Sequence, residues 1–475
     1  MTFRHIHFIG IAGAGMSAVA KLLHDGGAKI TGSDEGVYPP VSDFLDDLGI
    51  PYVANYAAAN LPKDADLVVI GKNAKLVPET NAEVAAAYAS GIRIASFPEV
   101  LSEISAKQES VVVCGAFGKS TSTSMLAHCL ESLPASSAGH DASWFIGAIP
   151  LTPSTNARMG KGRYFVLEGD EYPSSNTDPR SKFLHYHPRH LLVTPVAHDH
   201  VNIFPTPVDY VAPFIELAKL VPQNGSIVIC VEGPLSADLL KTISRPVITY
   251  GVHKGEYHAA DIVWGERTRF TLMRGGEEIV SIETNQLGEH NIQNIVGVAA
   301  FLLTHSIATP AQIAAAIGSF RGIRRRLDRK SEKTRLPIFE GFGSSYDKAR
   351  SAIAAMKQHF PAQRLVVVFE PHTFSWRNRD AIGWYDDVFG GANKIFIYEP
   401  ASQGATTHAQ ISQGEIVDRV LKAGFDAEPI SDPDNALTTI GGALRDDDVV
   451  LLLTSGNLGG LIERIPRMAE QKFPL

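Results

Sequence analysis

Residues 110–124, SVVVCGAFGKSTSTS, decide how the rest of the chain is read. The apolar run 111–114 has the character of a buried parallel strand; it breaks at Gly115 and Gly118, then meets Lys119, Ser120 and Thr121, where a helix begins. Glycines let a backbone turn tightly with its N–H groups aimed inward, and the helix N-terminus adds positive potential. A lysine there reaches the outer phosphates of a nucleotide, and a hydroxyl can hold Mg²⁺. Val113 stands where the first glycine of the full G-x-x-x-x-G-K-[ST] spacing would be, so the loop is read as a nucleotide site of reduced glycine content. An ordinary glycine-rich strand-to-helix turn is the alternative.

Toward the N-terminus, residues 5–10 read as a strand ending in GIAGAGMS, with Gly10, Gly13 and Gly15 opening a helix. The spacing is a displaced form of the dinucleotide turn, suited to a diphosphate on a helix N-terminus. About 20 residues on, ITGSD (30–34) ends a second strand with Ser33 and Asp34, where a ribose or base is usually met. In the bland reading the glycines only pack the helix on the sheet. Strand-like runs at 67–70 and 92–94 continue the βα alternation, and the polar segment 105–110 reads as a linker that closes the first domain.

Beyond the phosphate loop, YFVL (164–167) is a strand that ends in Glu168, Gly169, Asp170 and Glu171. Carboxylates at the C-terminal ends of parallel strands sit beside such a loop, which makes Glu168 a candidate Mg²⁺ ligand. The next strand, LLVTPV (191–196), delivers His198, Asp199 and His200 to the same edge for metal or phosphate work. Another strand at 227–231 leads into alternating β structure as far as 283. Gly288, Glu289, His290, Asn291 and Asn294 then precede an apolar helix over 295–303. Asn291 and Asn294, three apart, share one helix face and either address a planar base or ribose or serve as cap and turn residues. FRGIRRRLD (320–328) gathers arginines that can meet a transferring phosphoryl group. A third α/β unit starts at 338; its strands at 365–369, 394–398 and 449–453 are each followed by turn residues, Glu370-Pro371-His372, Glu399-Pro400 and SGNLGG (455–460).

Composition narrows the function classes. The 475 residues are 44% hydrophobic and 20% charged, with 43 basic against 51 acidic residues, a formal charge of −8. That balance fits an ordinary soluble globular chain of several domains and excludes nucleic-acid binding through bulk positive charge. Cys114, Cys129 and Cys230 are isolated in apolar surroundings, with neither a disulfide framework nor a zinc spacing, which suits the cytoplasm. The N-terminus lacks a signal-peptide apolar core, and no run of about 18 apolar residues offers a membrane span.

Taken in order, GIAGAGMS with GSD, GAFGKST, EGDE, the Asp199-His200 pair, GEHNIQN, FRGIRRRLD and FEPHTFSWR resemble the muramyl (Mur) ligase family over essentially the whole chain. The resemblance implies an α/β protein of three domains: a Rossmann-like UDP-sugar domain (1–108), a central P-loop ATPase-like domain (109–328) and a Rossmann-like C-terminal domain (329–475) that binds the incoming amine. It implies a cytoplasmic, ATP- and Mg²⁺-dependent ligase of peptidoglycan metabolism with small-molecule substrates and no nucleic-acid or membrane partner. The lactyl carboxylate of UDP-N-acetylmuramate would be activated as an acyl phosphate and captured by an amine. ATP would lie over Gly115, Gly118, Lys119, Ser120 and Thr121, with His290, Asn291 and Asn294 at the nucleoside. Ser120, Glu168 and His200 would hold metal. Lys119, His200, Arg325 and Arg326 would carry the catalytic charge, and Gly10, Gly13, Gly15, Ser33 and Asp34 would hold the UDP-sugar. Glu340, Lys348, His372 and Arg377 would meet the amine.

Within the family, DEGVYPP (34–40) and DPRSKFLHYHPRHLLV (178–193) look more like the branch that attaches the tripeptide L-alanyl-γ-D-glutamyl-meso-diaminopimelate in murein recycling than the branch that adds L-alanine. Two stretches depart from the family pattern. Ala116-Phe117 replaces a Thr-His pair, and EGFGSSY (340–346) replaces an Asp-Asp-Tyr-Ala-His-His-Pro type stretch and keeps one acid. The rivals are L-alanine as the amine, a nucleotide-binding protein that has lost the chemistry, and, more distantly, a nicotinamide dehydrogenase, in which a second phosphate loop would have no use.

Overall fold

The computed structural model describes residues 3–38, 41–200, 203–399 and 410–475; Pro39 and Pro40 of the 34–40 stretch, and Pro400, lie outside the described residues. The strands form three sheets in sequence order, and the protein has the mixed α/β architecture expected. Among the described residues no helix is long and apolar enough to cross a membrane.

The first sheet has the order β3-β2-β1-β4-β5, from Tyr52–Val53 (β3), Lys29–Ser33 (β2), His5–Ile9 (β1), Leu67–Ile70 (β4) and Arg93–Ala95 (β5), all parallel. Alternation along β1 gives its two faces different chemistry. Ile6 and Phe8 join the core that contains Val19, Leu22 and Leu23 of helix Ala14–Asp25. His7 instead bonds Thr31 through Nδ1 at 2.8 Å and the buried Glu83 through Nε2 at 2.7 Å. Glu83 is fully buried and also accepts from the Ser33 hydroxyl, the Ala57 amide and Asn60. Burial opposes ionisation of Glu83, but these donors, led by His7, hold its carboxyl below the usual range.

The second sheet runs β15-β14-β13-β12-β11-β10-β6-β9-β7-β8. In chain order these strands are Glu109–Cys114 (β6), Ser143–Phe145 (β7), Ala157–Arg158 (β8), Tyr164–Glu168 (β9), His190–Val193 (β10), Ser226–Cys230 (β11), Ile248–Tyr250 (β12), Tyr257–Val263 (β13), Thr268–Arg274 (β14) and Glu277–Thr284 (β15). Strand β6 lies between parallel β10 and β9, so it is apolar on both faces. The register pairs Val113 with Glu168 and Cys114 with Val193, which ends all three strands at one edge of the sheet. Their other ends carry a polar knot. His190 bonds Glu109 at 3.2 Å and Ser226 at 2.9 Å, Ser226 bonds His305 at 2.8 Å, and the two imidazoles are 4.4 Å apart.

The third sheet has the order β16-β17-β21-β18-β19-β20, from Arg326–Arg329 (β16), Ile338–Phe342 (β17), Arg364–Phe369 (β18), Lys394–Tyr398 (β19), Ala427–Ile430 (β20) and Asp448–Thr454 (β21). Only the edge strand β16 is antiparallel to its neighbour.

Packing divides the chain into two compact units, one of Met1–Ile262, Phe270–Glu283 and His290–Phe320, the other of Val263–Arg269, Thr284–Glu289 and Arg321–Leu475. The first two sheets therefore share a unit. One core contains Phe8 and Ile30 of the first together with Val112 and Leu167 of the second, and the Phe97 and Phe145 rings lie 6.1 Å apart. The segment read as a linker is shorter than expected: Ser105 ends helix Phe97–Ser105, Glu109 and Ser110 already belong to β6, and both serines are buried. The segment 330–336 that leads into β17 is held down too, with the buried Thr334 hydroxyl donating to the Phe473 carbonyl at 2.8 Å. The apolar helix read over 295–303 begins earlier and spans Glu289–Thr304, with Asn291 and Asn294 in its first turns.

Candidate active site

The glycine turn after β6 is built as its residue types require. Gly115 has φ 141°, and a Cβ there would come within 2.2 Å of the Thr194 hydroxyl. Gly118 has φ 83° at the N-cap of helix Lys119–Glu131, and a Cβ there would sit 2.3 Å from Asn294 Oδ1. No side chain caps this helix, so its first N–H groups are left for a ligand. Asn294 braces the turn from below. It is almost fully buried, accepts from Ser122 at 3.2 Å and donates to Asn291 at 3.2 Å. His290 is exposed on the same helix.

Lys119 folds back over the turn. Its ammonium donates to the Gly115 carbonyl at 2.7 Å and pairs with Glu171 at 2.9 Å. Glu171 is fully buried and also meets His200 Nε2 at 3.3 Å and the Tyr210 hydroxyl at 3.2 Å. Burial works against the charged lysine, but Glu171, then Asp170 and Glu168, more than offset it and hold the ammonium above its ordinary value. Contact with Glu171 also raises the imidazole of His200, against burial and with help from Asp199. His200 adopts φ 56°, a left-handed conformation uncommon outside glycine, and its Nδ1 shares a hydrogen bond with the Tyr172 hydroxyl at 3.1 Å. The neighbouring His198 turns away to the Phe204 carbonyl at 2.8 Å.

The Ser120 hydroxyl donates to Glu168 at 2.7 Å, and the other oxygen of Glu168 accepts from the Gly147 amide at 2.6 Å. Mg²⁺ binds hard oxygens and usually takes one or two protein ligands, completing its shell with phosphate and water, so this hydroxyl–carboxylate pair fits the ion. Among the described residues no group of three or more His, Cys, Asp or Glu side chains makes an all-protein metal site. Ligation by His200 would have to displace Glu171 or Tyr172 from its ring.

On the first sheet, Gly10 (φ 86°) and Gly13 lead into helix Ala14–Asp25, whose N-cap has no side-chain partner. Asp34 fixes the turn by accepting from the Ala12 amide at 2.9 Å and from Tyr56 at 3.0 Å. Gly15 stands against the Phe97 ring. Ser33 departs from expectation: it is fully buried with its hydroxyl on Glu83, and only its carbonyl faces the turn, accepting from the Gly10 and Ile11 amides. Alternation along β2 points its side chain to the polar face of the sheet, away from a ligand.

In the second unit, the C-terminal ends of β17, β18 and β21 gather the other expected residues. Glu340 is buried between Lys330 at 2.9 Å and Arg325 at 3.3 Å. Arg325 also reaches the Ser455 carbonyl at 3.2 Å, whereas Arg326 is exposed. Beside them burial pushes the Asp328 carboxyl up to about 6, with Lys330 opposing and Glu340 adding to the rise. His372 pairs with Glu370 at 3.3 Å, and Glu370 accepts from the Leu458 amide at 3.0 Å. Arg377 is buried and donates to the His372 carbonyl at 3.3 Å. The altered stretch 340–346 is held against this segment, because the Trp376 indole donates to the Gly343 carbonyl at 2.7 Å and Thr373 to that of Ser344 at 3.0 Å. Lys348 bonds Ser344 at 3.3 Å and lies 5.6 Å from the exposed Phe342 ring. Glu171, Tyr172, Tyr210 and Lys330 are the participants the sequence reading missed. Glu171 closes the acidic turn after β9, in which the sequence singles out Glu168 instead, and no local pattern announces its burial.

Comparison with known proteins supplies the context. Residues 5–109 match the model of the Mur ligase family, catalytic domain, and residues 113–302 that of the Mur ligase middle domain. The chain is 30% identical over 479 residues to a UDP-N-acetylmuramate–L-alanine ligase of Burkholderia multivorans, covering 99% of each chain. Its fold matches the UDP-N-acetylmuramate-alanine ligase MurC of Thermotoga maritima with TM-score 0.77 at 23% identity, over 99% of this chain and 100% of that one. It also matches the UDP-N-acetylmuramate:L-alanyl-gamma-D-glutamyl-meso-diaminopimelate ligase of Neisseria meningitides, with TM-score 0.60 and 30% identity, over 68% of this chain and 100% of that one.

Proposed function

The chain belongs to the Mur ligase family of ATP-dependent, ADP-forming amide ligases that act on peptidoglycan precursors, and on that premise we propose that it joins UDP-N-acetylmuramate to the amine of a murein tripeptide in the cytoplasm. The observation that carries this reading is the Lys119–Glu171–His200 constellation beside the Ser120–Glu168 pair, in the same unit as the diphosphate turn at Gly10.

In this reading the turn at Gly115 to Thr121 receives the triphosphate of ATP, and Lys119 leaves Glu171 to neutralise charge on the outer phosphates. Ser120 and Glu168 would hold Mg²⁺, which would supply Lewis-acid neutralisation of charge on the phosphate oxygens. The lactyl carboxylate oxygen attacks the γ-phosphorus and ADP departs. The amine nitrogen then attacks the acyl carbon of the acyl phosphate, loses a proton, and inorganic phosphate leaves. Such chemistry asks for positioning and electrostatics more than for covalent help from the protein. Asp34 steadies the turn that holds the UDP diphosphate. Arg325 and the buried Glu340, with Lys348, His372 and Arg377, form the amine-side group in the second unit.

The tripeptide is favoured by the 178–193 stretch and by the cations Lys348 and Arg377, which suit a substrate with several carboxylates. L-alanine is the second reading, favoured by the full-length similarity to ligases named for it. The deciding experiment is phosphate release from ATP with UDP-N-acetylmuramate and each amine in turn. Release with the tripeptide at least about tenfold faster than with L-alanine at equal concentration supports the first reading; release with L-alanine alone replaces it with the second. Binding of both nucleotides without phosphate release under either condition would instead mark a protein that has lost the chemistry.

A further inference from the structure

Two lysines that none of the foregoing roles uses face a single aromatic ring. Lys72 follows Gly71 at the end of β4, and Gly71 lies against Gly10 of the diphosphate turn. Its ammonium is 5.8 Å from the centre of the Tyr172 ring. The ammonium of Lys182 is 5.9 Å from the same centre and 5.5 Å from that of Phe97. Lys182 has one counter-charge, Asp170 at 2.6 Å, whereas among the described residues no carboxylate lies within ion-pair distance of Lys72. Partial burial and then the charge of Lys182 hold Lys72 below its ordinary value, with Asp170 acting the other way. Two cations at one ring, with Asp170 paired to Lys182, leave electrostatic room for one more anion.

The position of the pair identifies that anion. Tyr172 donates to or accepts from His200, His200 meets Glu171, and Glu171 meets Lys119. The ring is therefore the surface between the Gly10 turn and the lysine of the phosphate loop. A sugar acid with its diphosphate on the first and its reacting carboxylate near the second has to cross this surface. We propose that Lys72 and Lys182, set over Tyr172, bind the carboxylate of the sugar-acid substrate and orient it toward the nucleotide's terminal phosphate. This inference rests on the reading of the acceptor as UDP-N-acetylmuramate. The reaching lysine is Lys72, because it is exposed and uncommitted, while Lys182 is anchored by Asp170 and sets the repulsion that an anion relieves.

The test is steady-state kinetics of the full-length enzyme with UDP-N-acetylmuramate and ATP varied separately, for wild type, Lys72→Ala, Lys72→Arg and Lys182→Met. Lys72 is at the surface, so its replacement leaves the fold intact, and unchanged melting temperature checks this. The expected result for Lys72→Ala is a KM for UDP-N-acetylmuramate raised about tenfold or more with the KM for ATP within about twofold, as for loss of a charge contact to one substrate. Lys72→Arg should recover most of the loss, and Lys182→Met should raise the same KM. An unchanged KM for the sugar acid in Lys72→Ala, or equal increases in both KM values, overturns the inference while leaving the family reaction in place. Absence of turnover by the wild type with UDP-N-acetylmuramate under either amine overturns the acceptor assignment and the inference with it.

Discussion

Lys119 and Glu171 show how a residue's chemistry depends on what surrounds it. The glycine–lysine–hydroxyl spacing was enough to locate Lys119, because only a tight turn into a helix start makes sense of Gly115 and Gly118 in that order. What the sequence could not supply was the counter-charge, since Glu171 is one of three acids within four positions and burial is a property of the fold. The same limit applies to Ser33, whose neighbour Asp34 suggested a ligand contact while strand alternation turned its hydroxyl to Glu83. Lys119→Ala removes the charge that meets the transferring phosphoryl group, and kcat should fall by about 10²–10³ or more. Because Glu171 retains His200 and Tyr210 as partners, the variant should still melt cooperatively; circular dichroism on heating checks this beside a phosphate-release assay. Unaltered turnover would remove the loop from the reaction.

At the scale of elements, the longer parallel strands were legible and most of the two- and three-residue ones were not. The apolar runs of β4, β6, β9 and β19 fell within a residue or two of their observed bounds, since strands buried on both faces announce themselves as continuous hydrophobic runs. Strands β3, β7 and β8, of two or three residues each, carry too little pattern to be seen. The turn after β6 makes a sharp prediction: Gly118→Ala places a methyl 2.3 Å from Asn294 Oδ1 at a φ of 83°. Nucleotide affinity should fall at least about tenfold in titration calorimetry, because the strained turn can no longer aim its amides inward. At the opposite ends of the central strands, burial, reinforced by His190, brings His305 down to about 4, and burial likewise lowers His190. Both are thus harder to protonate in the folded chain than in the unfolded one, where a histidine titrates near 6.5. Stability from this knot is therefore intact above about pH 6.5 and is lost as pH falls toward about 4, with His305 contributing at most about 3 kcal/mol. Urea unfolding at pH 7.5 and pH 5 should show the lower midpoint at pH 5, and His305→Asn should flatten that difference.

For the whole molecule, the sequence made three α/β segments visible, because each repeats the alternation of apolar strand and glycine-ended turn. It did not reveal that the first two sheets share a core, which depends on side chains such as Phe97 and Phe145 meeting across segments far apart in the chain. Nor does polarity alone mark a linker, since Thr334 and Ser110 are polar residues whose hydroxyls donate to backbone carbonyls. The division into two bodies has a thermal consequence. A chain with two separate cores is expected to absorb heat in two overlapping events rather than one. A nucleotide held by one core stabilises chiefly that core, by an amount that grows with the logarithm of its free concentration. Scanning calorimetry with ADP and Mg²⁺ should thus draw the two peaks apart as the ligand is raised, whereas a single peak that migrates as a whole would mean that both bodies come undone together.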